Sequence, residues 1–256
     1  MTTTRTLSPS QVNTFLSCSY AWHCEYVEKL PTSPSAPVAL GSAVHDTVAV
    51  ALRAKRQSYN MDLPELLWDH YEDAANVHLS EARFSEKESL AEEIERGRSM
   101  VSLWHAQALR TIRPVIVERK VTSKIGGVNV VGVLDIVDSD AVARDTKTSR
   151  NPPYPLRDVK PRHRLQMATY AVLCDVERVQ LDHITANSKS SRYTPQQLTI
   201  TDEDRRFVQL TYPAVAKAMD AGNVLPNRNA QFCSRRFCSH WQQCEKEWGG
   251  TVKEGL

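Results

Sequence analysis

The sequence predicts an α/β fold with a central mixed β-sheet flanked by helices, an N-terminal helical part and a C-terminal Cys-rich arm. Three observations carry this. Residues 1–112 keep a helical recurrence of apolar side chains through most of their length. Residues 113–149 are rich in Val and Ile and alternate in polarity. The tail beyond Pro226 holds three of the six cysteines. At 256 residues the chain suits one large domain, read here as a helical part over 1–112, a core over 113–222 and an arm over 223–256.

In order, Ser8 can cap a first helix, with Pro9 at its first position and Gln11 completing a capping box. Val12, Phe15, Leu16, Tyr20 and Val27 continue it to about Leu30, before the loop PTSPSAP. Further helices are expected over about 40–59, 63–80 and 86–112, the last closed by Pro114. VIVERKVTSKIGG, VNVVGVLDIVD and AVARDTKTS read as three strands, turned at Gly126-Gly127 and at Asp138-Ser139-Asp140. A helix from Pro161 to Val176, strands near 178–187 and 197–200, and a helix from Asp202 to Ala221 complete the core.

Composition excludes little. A net charge of +2 decides nothing about a nucleic-acid partner, so any such case rests on local charge, and 41% hydrophobic content suits a packed core. MTTTRTLSPS lacks the apolar stretch of a secretory signal, and TVAVAL is too short to span a bilayer. A cytoplasmic protein with no membrane partner is the expectation. In that compartment six cysteines point to metal rather than disulfides.

The chemistry concentrates around GVLDIVD and RDTKTS. Asp135 interrupts an apolar run, where an unpaired carboxylate is costly. Asp145 and Lys147 share a strand face. Two carboxylates on adjacent strands, with the Thr146 carbonyl, could hold Mg²⁺ or Mn²⁺; the ammonium could stabilise charge on a phosphorane. Alone, each piece has a plainer reading: acid-x-Lys as a solvated pair, Asp135 as a strand-end residue. His45 could be a core histidine, and Gln166 and Tyr170 an ordinary helix face.

Taken in order, these residues resemble the PD-(D/E)xK nuclease superfamily. The likeness is to the branch of the RecB and AddB nuclease domains and of phage and CRISPR-associated exonucleases. It implies a restriction-endonuclease-like core. GVLDIVD supplies Asp135, and DTK supplies Asp145 and Lys147. GSAVHDTV supplies a metal-binding His45, and RLQMATYAVL supplies Gln166 and Tyr170 at i and i+4. Asp145 stands where Glu is commoner. Glu118, on the preceding strand, is either a further ligand or a surface glutamate.

FCSRRFCSHWQQC spaces Cys233, Cys238 and Cys244 as C-x4-C-x5-C, so a fourth thiol must come from elsewhere. Cys18 and Cys24 in the first helix both qualify. The same resemblance implies that Cys18 joins the three in a [4Fe–4S] cluster, so that the arm closes onto the N-terminal helix; Cys24 and Cys174 are then small apolar core residues. A Zn²⁺ site, aided by His240, is the alternative.

Residues 144–164 hold seven Lys/Arg against two Asp. Arg150, Arg157, Lys160, Arg162 and Arg164 could line a path for a phosphate backbone, or form a solvated basic loop. Arg235 and Arg236 could add to it. No base-reading module is visible. The expected activity is a Mg²⁺- or Mn²⁺-dependent DNA exonuclease acting on single- or double-stranded ends, in phage or bacterial recombination or repair. It could work with a recombination or annealing protein, or as a homo-oligomer. The alternatives are a CRISPR spacer-acquisition nuclease and a non-catalytic DNA-end-binding subunit.

Overall fold

The computed structural model describes residues 5–57, 64–151 and 159–255. Six strands form one mixed sheet: β1 (Thr6–Leu7), β2 (Pro114–Ile125), β3 (Val128–Asp138), β4 (Val142–Ser149), β5 (Arg178–Ala186) and β6 (Ser191–Thr199). β2 and β3 pair antiparallel across the Gly126-Gly127 turn, whose positive φ values (56° and 83°) suit glycine. β4 and β5 are parallel, joined by a crossover containing α6 (below), and β6 returns antiparallel.

Among the described residues, eight α-helices surround the sheet: α1 (Pro9–Ser17), α2 (Ser19–Trp22), α3 (Ala36–Arg56), α4 (Pro64–Ser80), α5 (Leu90–Trp104), α6 (Pro161–Cys174), α7 (Asp202–Asp220) and α8 (Trp241–Trp248). One apolar core, with Trp22, Leu134, Tyr170 and Tyr212, packs α1, α6 and α7 on the sheet. A second, with Leu52, Tyr71, Trp104 and Ile184, packs α3 and α5 on it and α4 against those two helices. This is the expected α/β architecture, a mixed sheet between helical layers. No helix among the described residues is long and apolar enough to cross a membrane.

Several boundaries differ from expectation. The first helix does not run unbroken to Leu30. Cys18 is extended (φ −158°, ψ 104°), and after α2 the chain makes a π-helical turn over His23–Val27. The break has a local cause. Ser19 Oγ donates to Leu225 O (3.1 Å) and accepts from Leu225 N (2.8 Å), while Asn227 Nδ2 donates to Ser17 O. The C-terminal segment thus takes contacts that a continuous helix would have hidden. The expected strand at 197–200 begins at Ser191 instead, extended by nine paired positions with β5. β1 and α8 were not expected: one is only two residues long and the other lies in a Cys-rich tail.

Candidate active site and cysteine cavity

β3 has a divided edge. Along one side it pairs with β2; along the other it meets β1 at Asn129 and Val130, and β4 only at Ile136 and Val137. Continuing the β3–β4 register one rung would set Asp135 opposite Asp145. The ladder stops there, as expected where two like charges would face each other. Asp135 therefore sits at a fork in the sheet.

Side chains from three directions converge on it. Thr146 N–H donates to Asp135 Oδ2 (3.0 Å), and His45 Nδ1 lies 3.3 Å from the same oxygen. His45 arrives on α3, one turn beyond Gly41. A Cβ on Gly41 would lie 2.8 Å from Thr148 Oγ1. The missing side chain lets α3 approach β4 this closely without displacing Thr148. Glu118 comes from β2, between the rungs Val117–Ile136 and Arg119–Leu134, with φ +46°. Among the described residues, His45, Glu118 and Asp135 bring ligand atoms within 4.8 Å of one another.

The second half of the site is a chain of side-chain contacts. Lys147 Nζ lies 2.5 Å from Asp145 Oδ2. That contact is ionic rather than an aligned hydrogen bond. Lys147 also donates to Gln166 Oε1 (3.1 Å), and Gln166 Nε2 donates to Tyr170 OH (3.0 Å). The i,i+4 spacing on α6 aligns Gln166 and Tyr170 toward β4.

Electrostatically the site is short of positive charge. Burial, then the Asp145 carboxylate, pushes the Asp135 carboxyl up; His45, Lys147 and the Thr146 N–H oppose this. Burial also raises Glu118, against His45 and Arg53, and raises the Tyr170 hydroxyl, reinforced by Asp145 and Asp135. Two carboxylates and an imidazole held together at such cost fit a divalent cation, which takes oxygen ligands and supplies the missing charge. Of the site residues expected from sequence, His45, Asp135, Asp145, Thr146, Lys147, Gln166 and Tyr170 are brought together. Glu118, only a weak addition in the sequence, joins them.

Residues 6–245 match the family model of the PD-(D/E)XK nuclease superfamily. The chain belongs to that superfamily. A crystal structure from Eubacterium rectale, described only as a candidate exonuclease, has a similar fold: TM-score 0.59 and 12% identity, covering 98% of this chain and 90% of that one. Identity so low bears on the fold alone. A second solved structure, of SSO0001, is 16% identical over 72% of this chain and 76% of that one, with a TM-score of 0.34, too low to carry an argument. No curated protein matches the sequence significantly. PD-(D/E)XK nucleases use divalent metals, and membership implies DNA as substrate.

In this PD-(D/E)XK chain a separate cavity of about 780 Å³ opens between α1, α2 and the arm. Cys18, Cys233, Cys238 and Cys244 all line it, with His240, Trp241 and Phe232. Cys24 does not line the cavity but lies behind it, packed with Tyr20, Leu30, Cys18 and Cys244, and Cys174 lies against the main core. Burial raises the Cys233 and Cys238 thiols, and the other cavity cysteines add to it. Two N–H groups already point at sulfur: Asn227 N to Cys18 Sγ (3.3 Å) and Arg228 Nη2 to Cys244 Sγ (3.4 Å).

The basic residues are less open than their sequence suggests. Arg150 donates to the buried Glu88 (2.7 Å) and Glu93 (2.5 Å). Arg164 makes a two-pronged pair with Asp204 (2.6 and 2.7 Å). Arg162 stacks over Phe232 (4.3 Å) and, with Lys160, lines the cysteine cavity. Arg157 lies outside the described residues.

Proposed function

We propose that this chain is a Mg²⁺- or Mn²⁺-dependent deoxyribonuclease of the RecB/AddB-like branch that degrades DNA from its ends, in phage or bacterial recombination or repair. The observation that carries this is the meeting of His45, Glu118 and Asp135 with the Asp145–Lys147–Gln166 chain at the fork of the sheet.

Asp135, Asp145, Glu118, His45 and the Thr146 carbonyl would hold the metal. A bound divalent cation polarises the scissile phosphodiester and makes water a better nucleophile at neutral pH. Lys147 is held by Asp145 on one side and Gln166 on the other, so its charge is fixed where a phosphorane would develop. Tyr170 locks the Gln166 amide. Preorganisation of this kind spares the lysine a rearrangement during the reaction. Lys160 and Arg162 would steer the phosphate backbone; Arg150, Arg157 and Arg164 were expected beside them. The whole chain would act as one nuclease domain.

The four cavity thiols would hold a [4Fe–4S] cluster. Four cysteines lining one cavity are the all-thiolate ligand set that iron–sulfur clusters take.

Linear DNA labelled separately at its 5′ and 3′ ends, incubated with Mg²⁺, Mn²⁺ or EDTA, tests the activity. Metal-dependent release of label by wild type and not by Lys147→Ala is the expected result, and the label lost first gives the polarity. Firm DNA binding without cleavage would sink it. Iron, sulfide and zinc analysis of anaerobically purified protein decides the metal of the arm.

A further inference from the structure

The arm and the candidate active site meet at one carboxylate. Glu88 lies in the turn before α5, almost completely buried, and its Oε1 accepts from Arg150 Nη2 (2.7 Å) and Arg236 Nη2 (2.5 Å). Its other oxygen accepts from Ser85 N–H (2.9 Å), which fixes the carboxylate within its own turn. Arg150 directly follows the last residue of β4, three residues beyond Lys147. Arg236 lies between Cys233 and Cys238.

The backbone leaves this end of β4 a task for side chains. β4 pairs with β5 over its whole length, but with β3 only at Ala143 and Arg144. From Asp145 onward its β3-side edge has no strand rung. What holds that edge is the Thr146 bond to Asp135 and, at the far end, Arg150. Arg150 also reaches Glu93, which Arg96 pairs from within α5, and Asn187 Nδ2 donates to Arg150 O (3.1 Å). On the arm side, Arg83 Nη1 donates to Arg235 O (3.1 Å) and Cys238 O (3.3 Å), gripping the backbone on both sides of Arg236.

We propose that Glu88 is a positioning residue that couples the cysteine-lined arm to the catalytic strand: an arm folded around its thiols presents Arg236, Arg236 shares Glu88 with Arg150, and Arg150 fixes the end of β4 that carries Asp145 and Lys147. This rests on the nuclease reading above. Burial is what makes the coupling sharp. A shared carboxylate inside the protein cannot lose one guanidinium without leaving charge poorly compensated, so the remaining partner shifts.

The test compares cleavage of linear DNA in saturating Mn²⁺ by wild type, Arg236→Met, Arg236→Lys, Glu88→Gln and the Glu88→Gln/Arg236→Met double variant. Arg236→Met leaves Glu88 with one guanidinium, from Arg150, and with the Ser85 N–H, so the carboxylate is less well compensated but not orphaned and the fold is kept. Metal content of the arm and melting temperature are followed alongside. Arg236→Met is expected to lower kcat by about tenfold with KM for DNA within about twofold of wild type. Arg236→Lys, which can still make the single contact to Oε1, recovers most of that loss. In the Glu88→Gln background Arg236→Met costs clearly less than it does in wild type, because the shared carboxylate is already gone. Independent, multiplying effects would overturn the coupling, as would a loss confined to KM, which would mean that Arg236 touches DNA itself. A wild-type chain that cleaves nothing removes the nuclease reading and this inference together; an active wild type with independent effects removes this inference alone.

Discussion

The fork in the sheet and the cysteine cavity are held in different ways. At the fork, Asp135 and Asp145 ride on strands locked by ladders, and Lys147, Gln166 and Tyr170 already have protein partners. The cavity is closed by an arm whose only regular element beyond α7 is the eight-residue α8. Its ties to the N-terminal helices are local hydrogen bonds rather than a strand ladder, such as Tyr20 OH to Glu247 (2.7 Å) and the two bonds between Ser19 and Leu225. On the proposed reading, the first site is organised largely by the protein's own contacts and the second by a ligand held on its thiols.

That contrast is broken most strongly at Asp135. Asp135→Asn should lower metal-dependent cleavage by about a thousandfold, as loss of a key electrostatic group does. It should leave the melting temperature of the metal-free protein unchanged or higher, because a carboxyl strained by burial and by Asp145 becomes neutral. End-labelled cleavage and calorimetry check both. A clear fall in melting temperature would show that the carboxylate supports the fold, against the comparison.

The mirror case is Cys238→Ser. Removing a ligand held at about a thousandfold above its Kd costs about 4 kcal/mol. The variant should lose arm metal and become sensitive to limited proteolysis within 223–255, with the sheet still protected from hydrogen exchange. Simultaneous loss of protection in β3 and β4 would mean that the cavity organises the whole domain.

What was legible in the sequence follows the same division. Asp135 announced itself as a charge inside an apolar run, and Gln166 and Tyr170 by helical spacing. Glu118 did so only weakly, because its place in the site depends on a positive φ and on lying across from Asp135. The break at Cys18 was hidden too: residues 9–27 keep helical spacing, and only contact with Leu225 and Asn227 shows why the chain interrupts it. Arg150 read as part of a DNA-binding stretch because a sequence displays charge but not its partner, and Glu88 is 62 positions away.

A gentler change sharpens the geometric side. Gly41→Ala places a methyl 2.8 Å from Thr148 Oγ1, so α3 must move off β4 or Thr148 must turn. Overpacking of this kind costs about 1–3 kcal/mol. Because His45 follows one turn later, Mn²⁺ affinity measured by titration calorimetry should fall by about tenfold, or about 1.4 kcal/mol. Unchanged affinity would show that His45 is positioned independently of that approach.

The smallest effect is in pH. The folded protein raises Asp135 and Glu118 above their unfolded values, so between those values and the folded ones it binds more protons than the unfolded chain. Stability of the metal-free protein from Asp135 therefore falls as pH rises from about 4 toward 7, with a slope of about 1.4 kcal/mol per pH unit at most, and Glu118 acts in the same direction above its ordinary value. His163, pushed down to about 3 mainly by burial, works in the opposite direction: its contribution grows as pH rises toward the ordinary imidazole value. The wild-type profile mixes the two slopes. The difference between wild type and Asp135→Asn in EDTA isolates the carboxylate, and it should widen with rising pH in favour of the variant. Saturating Mn²⁺ should reverse its sign at neutral pH, since the cation binds the deprotonated site and releases protons as it does. A pH-independent difference in EDTA would mean that Asp135 is not strained, and that the fork tolerates both carboxylates without a cation.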